Sequence, residues 1–259
     1  MVRDFFIQEM IPKGIKVDHA LEELGWEIMQ QLSGMEIDSL DLDVEEGWVK
    51  VKVSGSDEGI AENLICRVYG RPKRVNDLKL GETLKGFITD LGEIRYGIYF
   101  KAFLDRKDGL YPLYEMRKQL VNGRKLSVKT IAKLYGLVND LSMEIHLMKH
   151  DEKGVYVSIS HRQVQTLKSF IRKGRDILFI VRATPKQVRR ALLKTGHARD
   201  VSLVRTSFLS FMLICKPNTQ AKGLIPRLGP YLPGATLSAI HSNQFNELLR
   251  DNFLNRPTQ

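Results

Sequence analysis

The first 76 residues alternate between helical and strand-like spacing of apolar side chains. Apolar positions three and four apart indicate amphipathic helices, whereas strict alternation indicates a strand with one buried face. The pattern predicts a strand, a helix, two strands joined as a hairpin and a second helix, at 5–7, 17–32, 37–44, 49–53 and 60–68. A short strand around Val75 completes the predicted order βαββαβ.

The last third repeats this order of elements without repeating the residues. The continuous apolar run from Ile177 to Val181 predicts a buried strand, and Pro185 begins a helix, a position where its missing N–H removes no hydrogen bond. Two strands, a helix and a strand follow at 201–204, 208–215, 221–228 and 235–240, and a final helix is expected at 244–254. Both ends of the chain therefore predict a ferredoxin-like βαββαβ unit.

Residues 78–160 contain five short apolar stretches separated by glycine-containing turns, at 83–89, 96–104, 109–114, 143–148 and 155–159. One helix is expected at 127–135, before the fourth strand. This order is typical of a small OB barrel. We therefore expect an α+β protein of three domains, 1–76, 77–160 and 161–259. The first domain is expected to fold on its own, and the last begins with a linker helix.

Within the barrel segment, a set of spaced motifs resembles the RNA-binding OB domain first described in ribosomal protein S-one. The matching residues are Gly81, Gly86, Tyr96-Gly97-Ile98-Tyr99, Gly109-Leu110-Tyr111-Pro112-Leu113, and Val155-Tyr156-Val157-Ser158-Ile159-Ser160 before His161-Arg162. The resemblance implies that Tyr96 and Tyr99 stack on RNA bases. Pro112 stands where that family often has a histidine, so one stacking contact is missing here.

The layout of the chain resembles two larger families. An OB barrel followed by a helix and a basic ferredoxin-like domain is similar, in domain order alone, to the alpha subunit of archaeal and eukaryotic translation initiation factor two. The whole chain also resembles an archaeal protein family of unknown function with this three-part layout.

The spacing of Tyr96 and Tyr99 leaves two arrangements open. Strict alternation places residues three apart on opposite faces of a strand. A bulge at Gly97 would turn both rings toward one face. Without it, Tyr99 shares a face with Lys101 while Tyr96 joins the core. Phe87 belongs either to the core or to the binding surface.

Charge is distributed unevenly along a chain whose net charge is +10. Residues 1–76 carry 9 Lys+Arg and 15 Asp+Glu, residues 77–160 carry 14 and 11, and residues 161–259 carry 17 and 4. The net charges are therefore −6, +3 and +13. This gradient predicts a polyanion-binding surface in the last third, with ribosomal RNA as the first candidate, and leaves the acidic third to a basic protein partner.

Basic side chains suited to RNA backbone contacts fall into small groups. Lys186, Arg190 and Lys194 lie four apart on one predicted helix face, and no acidic residue stands between Asp176 and Asp200. The basic linker at 70–74 is a weaker candidate. The full set of predicted RNA contacts is Phe87, Tyr96, Tyr99, Lys101, Arg124, Lys125, Arg162, Arg172, Lys173, Arg175, Lys186, Arg189, Arg190 and Lys194.

Enzyme and metal signatures are missing from the sequence. It contains no GxGxxG, GxxxxGK[ST], HExxH or CxxC. His146 and His150 have the spacing of a helical metal pair but fall on a predicted strand, and the acidic residues at 41–46 fit the outer face of a hairpin. We therefore predict neither a metal nor a cofactor. Cys66 and Cys215 stand in apolar runs and are expected to be buried free thiols.

No apolar run approaches the roughly 20 residues that cross a bilayer, and the first residues lack a secretory signal. We expect a cytoplasmic protein without a membrane partner. The combined prediction is a non-enzymatic RNA-binding protein associated with the ribosome or translation machinery, with RNA held by the barrel and its phosphates by the last domain. Two alternatives stay open: an RNA-processing or modifying enzyme, and an RNA-contacting subunit of a transcription or RNA-degradation complex.

Overall fold

The first part of the chain is a three-stranded antiparallel sheet with two helices on one face. The computed structural model describes residues 2–105 and 107–245. In this part the elements are β1 (Val2–Met10), α1 (Val17–Gln31), β2 (Ile37–Glu45), β3 (Trp48–Gly55) and α2 (Glu58–Tyr69), with strand order β1-β3-β2. Because side chains alternate along a strand, β3 directs Val49, Val51 and Val53 into the core beneath both helices.

The fourth strand predicted around Val75 is not formed. Residues Val75–Asp77 form a 3-10 helix, the Val75 N–H donates to the Asp105 carboxylate at 2.8 Å, and the Val75 side chain packs into the barrel core instead. The prediction of βαββαβ is therefore wrong for this part, whose order is βαββα. Contacts with the barrel determine the conformation of this segment, so its own pattern of apolar and polar residues does not predict it.

The central part is a closed barrel of five strands in the order β4-β5-β6-β8-β7. Its elements are β4 (Thr83–Thr89), β5 (Gly97–Lys101), β6 (Gly109–Pro112), α3 (Leu113–Val121), α4 (Val128–Leu134), β7 (Ser142–Asp151) and β8 (Gly154–Ile159). Strands β6 and β8 pair in parallel, and the other pairs are antiparallel. The prediction of five strands with a helix before the fourth agrees with this order.

Helix α3 is missing from the sequence prediction, which extends the third strand to Tyr114. The strand ends at Pro112, a residue that has no N–H for a strand ladder. Beyond it, Met116, Leu120 and Val121 are buried at helical spacing. Helix α5 (His161–Arg172) then leaves the barrel, and the Ser160 hydroxyl caps it by accepting the Gln163 N–H at 3.1 Å.

The last part is a four-stranded antiparallel sheet in the order β10-β11-β9-β12. Its elements are β9 (Ile177–Val181), α6 (Pro185–Lys194), β10 (Val201–Ser207), β11 (Ser210–Cys215), α7 (Ala221–Leu228) and β12 (Thr236–Ile240). The succession βαββαβ predicted for this segment is observed. The helix predicted at 244–254 lies outside the described residues from residue 246 onward.

The two central strands of the last sheet, β9 and β11, are buried on both faces. Along β9, Leu178 and Ile180 pack against α6 and α7, whereas Ile177, Phe179 and Val181 join the core formed by α5 and the barrel. Both faces of β9 are therefore apolar, which explains its continuous apolar run. It follows that α6 and α7 cover the face of the sheet that points away from the barrel.

The three parts share cores rather than standing apart. The turn between β10 and β11 inserts Phe208 and Leu209 into the apolar core of the first part. The barrel and one face of the last sheet contribute to a second common core. No helix among the described residues is long and apolar enough to span a membrane.

Candidate nucleic-acid interface

Tyr96 and Tyr99 meet on the outside of the barrel. Tyr96 lies in the bend just before β5 and is 56% exposed, and its hydroxyl is 3.2 Å from that of the half-buried Tyr99. Because Tyr96 precedes the strand, strand alternation does not apply to it. The alternative that places Tyr96 in the core is therefore wrong.

Gly97 brings strands β5 and β6 into close approach. The register between them is regular, with Gly97 opposite Pro112, so the bulge considered at this glycine is not formed. A Cβ added to Gly97 would lie 2.5 Å from the Tyr111 carbonyl oxygen. This packing requires a glycine. The bend before Gly97 directs the Tyr96 side chain outward.

The hydrogen bond with Tyr96, together with partial burial, raises the pKa of Tyr99 to about 12. Tyr99 is consequently a neutral phenol at physiological pH. The pair offers two ring faces and two hydroxyls, and Tyr99 carries no negative charge that would repel phosphate.

A row of side chains crosses the barrel wall through Tyr99. In the strand register, Tyr99 stands opposite Thr89 on one side and Leu110 on the other, Leu110 stands opposite Tyr156, and Tyr156 stands opposite Lys149. The Lys149 ammonium lies 6.0 Å from the centroid of the Tyr156 ring. These partners place two tyrosines on one wall with a leucine between them.

Tyr114 extends this wall at the beginning of α3. The Leu113 N–H donates to the Tyr96 carbonyl at 2.7 Å, and the next side chain, Tyr114, is 63% exposed. The pKa of Lys149 is raised mainly by its hydrogen bond to Asp151, with smaller contributions from Tyr156 and Tyr114. We call Tyr96, Tyr99, Leu110, Tyr114 and Tyr156 the tyrosine face.

Three members of the tyrosine face are missing from the predicted RNA contacts: Leu110 and two tyrosines. Tyr156 had a usable signal, because it alternates with the buried Val155 and Val157 and must point outward. Tyr114 had none, since its position depends on the unpredicted start of α3.

Two predicted contacts on the same barrel are occupied by packing against the first part. Phe87 is only 4% exposed and lies edge-to-face against Trp48, with 6.1 Å between ring centroids. The Lys101 ammonium donates to the Glu46 carbonyl oxygen. The assignment of Phe87 to the RNA surface is therefore wrong, and Lys101 acts as a bridge between the first two parts.

Arg162 is exposed but already paired. Its guanidinium lies 2.5 Å from the Glu144 carboxylate, which also accepts the Ser160 hydroxyl at 2.5 Å. Burial alone would raise the pKa of Glu144, but the hydrogen bonds from Ser160 and Arg162 outweigh it and hold that pKa below its usual value. The pair lines a cleft of about 630 Å³ between β4, β7, α5 and the last sheet.

Helix α6 presents the predicted basic stripe to solvent. Thr184 and Gln187 form a capping box that starts the helix. Val188, Ala191 and Leu192 face the core, and the opposite side exposes Lys186, Arg189, Arg190 and Lys194. All four sequence-predicted cations of this helix therefore lie on its outer surface.

Helix α7 and the turn after α6 add further cations on this side of the sheet. Between residues 177 and 245 the sequence has a single carboxylate, Asp200, and it lies 2.7 Å from His197 Nδ1. Lys194 lies 5.7 Å from the centroid of the half-exposed Tyr231 ring. We define the basic face as Lys186, Arg189, Arg190, Lys194, Arg199, Lys222 and Arg227, all of which are exposed.

The other predicted cations form a separate group. Arg172 and Lys173 are exposed at the end of α5 and Arg175 is half-buried, while in the barrel insertion Lys125 is exposed and Arg124 is half-buried. Nearby, Lys168 donates to the Gln119 carbonyl at 2.6 Å, and burial lowers its pKa. Because α5 and α6 lie on opposite faces of the last sheet, this group is not continuous with the basic face.

The histidines and cysteines considered in the sequence analysis lie in ordinary structural environments. His146 and His150 lie on β7, with His146 Nδ1 3.0 Å from the Thr83 hydroxyl. Cys215 is buried as expected, and burial raises its pKa to about 12. Cys66 is only half-buried beside Arg71, so the expectation of a buried thiol is wrong there. Within 2–105 and 107–245, no cluster of three or more His, Cys, Asp or Glu is placed to hold a metal ion.

The fold and these surfaces define a three-part α+β protein built around a five-stranded barrel. Three models of one family match it in succession: the DUF2110 N-terminal domain at residues 4–75, the DUF2110 central domain at 78–171 and the DUF2110 C-terminal domain at 175–240. The chain therefore belongs to the DUF2110 family, which confirms the resemblance to a family with a three-part layout. No curated protein matches the chain.

Proposed function

We propose that this protein is a non-enzymatic RNA-binding protein of the translation machinery that associates with the ribosome. In this proposal the central barrel is an OB fold of the S-one type and holds single-stranded or loop RNA. The last part is a ferredoxin-like unit that contacts phosphates. The observation that carries the proposal is the register that places Tyr99, Leu110 and Tyr156 side by side across the barrel.

Base stacking is the chemistry that the tyrosine face supports. Every base has a π face, so aromatic platforms bind single strands of many sequences, at about 1–3 kcal/mol per stacked base. The exposed rings of Tyr96 and Tyr114 flank the row and extend the platform. Their hydroxyls also offer hydrogen bonds to base edges.

Phosphate binding is the chemistry that the basic face supports. Its seven cations are exposed, and none of them forms an ion pair with a carboxylate of residues 2–105 and 107–245. Cations of this kind contribute affinity and positioning but no choice of sequence. Because the basic face points away from the barrel, an RNA that touches both surfaces has to pass around the last sheet.

The rival function is an RNA-processing enzyme with its active site between domains. The cleft beside Glu144 and Arg162 is where such a site would lie. Of its three charged groups, Glu144 and Arg162 are bonded to each other and Lys85 is bonded to Glu9. Its Ser142 and Thr206 hydroxyls are 2.7 Å apart. These pairings favour a structural role for the cleft and therefore favour the binding function.

Two measurements test the proposal. A labelled single-stranded oligonucleotide of about 12 nucleotides, within the usual footprint of one OB fold, is expected to bind more tightly than a duplex of the same length. Cleavage or modification of that oligonucleotide with added divalent metal would support the enzyme instead. The protein is expected to co-sediment with isolated ribosomal subunits and to stay bound when the subunits are washed with nuclease-free buffer. Absence of the protein from the sedimented subunits would favour a transcription or degradation complex.

A further inference from the structure

Strand β2 presents an open edge of the first sheet. The sheet order β1-β3-β2 places β2 outermost, and none of the described strands pairs with its outer side. Glu46 and Gly47, both with positive φ, form a two-residue hairpin turn that makes Glu45 and Trp48 a bonded pair. Alternation then directs the backbone groups of Val44, Leu42 and Leu40 outward.

One hydrogen bond supports this orientation. The Val44 N–H donates at 2.7 Å to the side chain of its neighbour Asp43 rather than to β3. The Val44 N–H can therefore pair with an added strand, because such a side-chain bond is easily exchanged for a backbone one.

A groove with an apolar floor runs along the same edge. Helix α1 crosses above β2, and the space of about 290 Å³ between them is lined by the apolar residues Leu21, Trp26, Met29, Leu40 and Leu42 and, beside them, by Glu22, Gly25 and Asp41. Trp26 is 67% exposed, the most open large ring in the first part. An added strand would place every second side chain in this groove.

The outermost strand is acidic on its opposite face. Asp41, Asp43 and Glu45 alternate with the apolar residues and are exposed; on their inner side β3 places Lys52 opposite Asp41 and Lys50 opposite Asp43, so the charge left for a partner is on the outer side. Two copies of β2 paired edge to edge would set these carboxylates beside each other, and like charges on adjacent strands are destabilising. A strand with basic residues at alternate positions would instead pair with them.

We propose that the open edge of β2 binds a protein partner by strand addition, and that the incoming strand alternates apolar residues with lysine or arginine. The apolar residues would occupy the groove beside Trp26, and the cations would face Asp41 and Asp43. Backbone pairing supplies the affinity in this mode of recognition, and alternate side chains supply the specificity. The proposal is independent of RNA binding.

The test uses the full chain and two synthetic peptides, one alternating valine with lysine and one alternating valine with glutamate. Trp26 provides a direct signal, because the other tryptophan, Trp48, is 2% exposed. The lysine peptide is expected to shift Trp26 fluorescence to shorter wavelength with a dissociation constant below about 1 mM. The amides of Leu40, Leu42 and Val44 are expected to exchange at least about tenfold more slowly.

Charge reversal provides the matched comparison. The double variant Asp41→Lys, Asp43→Lys should bind the lysine peptide at least about tenfold more weakly. The double variant Glu93→Lys, Glu152→Lys changes the net charge equally at exposed sites elsewhere and should bind the peptide as tightly as the unchanged protein. Unchanged melting temperatures show that both variants fold.

Several outcomes would overturn the proposal. These are equal binding of the two peptides, binding of neither at about 1 mM, and binding without slowed exchange at the three amides. Self-association in sedimentation experiments that protects those amides without peptide would assign the edge to a second copy.

Discussion

The carboxylate of Glu9 on β1 accepts the backbone N–H of Phe208 at 2.9 Å, although 199 residues separate them in the chain. The other oxygen of Glu9 accepts the Lys85 ammonium at 2.6 Å. One side chain that is 2% exposed therefore joins all three parts of the molecule.

Replacing Glu9 with alanine should destabilise the whole chain. The change leaves the buried Phe208 N–H without a partner and the largely buried Lys85 ammonium with only the Tyr69 carbonyl at 3.2 Å, at a cost of about 3 kcal/mol. Urea unfolding measures the loss. Glu45→Ala removes a comparable pair with Lys50 at an exposed site and should have little effect. Equal effects of the two changes would contradict the role of Glu9 as a junction.

Phe208→Ala should destabilise the first part more than the last. Phe208 is fully buried in the core of the first part, so removing the ring costs about 3–5 kcal/mol. Hydrogen exchange is expected to accelerate at amides of β1 and β3. The fragment 1–76, which lacks this ring, should unfold more easily than the same residues in the full chain. A fragment with unchanged protection would restore the expectation that the first part folds independently.

The turn that carries Phe208 shows where sequence reasoning stops. The pattern assigns 208–215 to a single strand, but Phe208 and Leu209 are the two turn residues between β10 and β11. Apolar residues in a tight turn contradict local preference, and their burial against the first part explains them. That contact is invisible without the tertiary structure. The strands at 83–89 and 177–181 were predictable because their apolar patterns are local.

In the candidate site too, features set by local sequence were predictable and features set by tertiary contacts were not. Tyr96 and Tyr99 were predictable from spaced motifs, and the stripe of Lys186, Arg190 and Lys194 from helical periodicity. Their separation by the last sheet was not, because it depends on which face of β9 meets the barrel. The burial of Phe87 depends in the same way on how the first part docks.

Replacing Tyr96 or Tyr99 with leucine tests the stacking surface. Each change keeps apolar bulk but removes the ring face, so single-stranded RNA should bind about 1 kcal/mol or more weaker, with little change in salt dependence. The melting temperature should fall only slightly for Tyr96→Leu, because that ring is exposed and the change removes only its hydroxyl bond to Tyr99. Tyr135→Leu is the control: its buried hydroxyl donates to the Leu120 carbonyl at 2.6 Å, so stability should fall instead. Lost stability with retained affinity at Tyr96 would assign this ring to packing.

The hydroxyl pair itself can be measured by titration. Tyr99 has a pKa raised to about 12 by its hydrogen bond with Tyr96 and by burial, against about 10 for a free phenol. The stabilisation is fully present below pH of about 10 and is lost as the pH rises through the folded pKa. Tyr96→Phe should lower the Tyr99 pKa, which tyrosinate absorbance reports, whereas Tyr114→Phe should not. An unchanged Tyr99 titration in Tyr96→Phe would contradict the hydrogen bond.

Charge reversal on the basic face is expected to weaken RNA binding uniformly. Lys186→Glu, Arg190→Glu and Lys194→Glu remove exposed cations that would contact phosphates rather than bases, so all sequences should lose affinity alike. Each lost contact to a single strand should reduce the slope of log affinity against log salt by about 0.7. Lys52→Glu, an exposed lysine of β3 in the acidic first part, should leave that slope unchanged.

Combining this reversal with Tyr99→Leu separates the two surfaces energetically. Because the last sheet lies between them and they share no side chain, their effects on binding free energy should add within about 0.5 kcal/mol for an RNA long enough to reach both. A short oligonucleotide that covers only the tyrosine face should respond to Tyr99→Leu and far less to the reversal. Equal sensitivity of the short oligonucleotide to both changes would mean that one continuous surface binds it, against the placement of α6 on the face remote from the barrel.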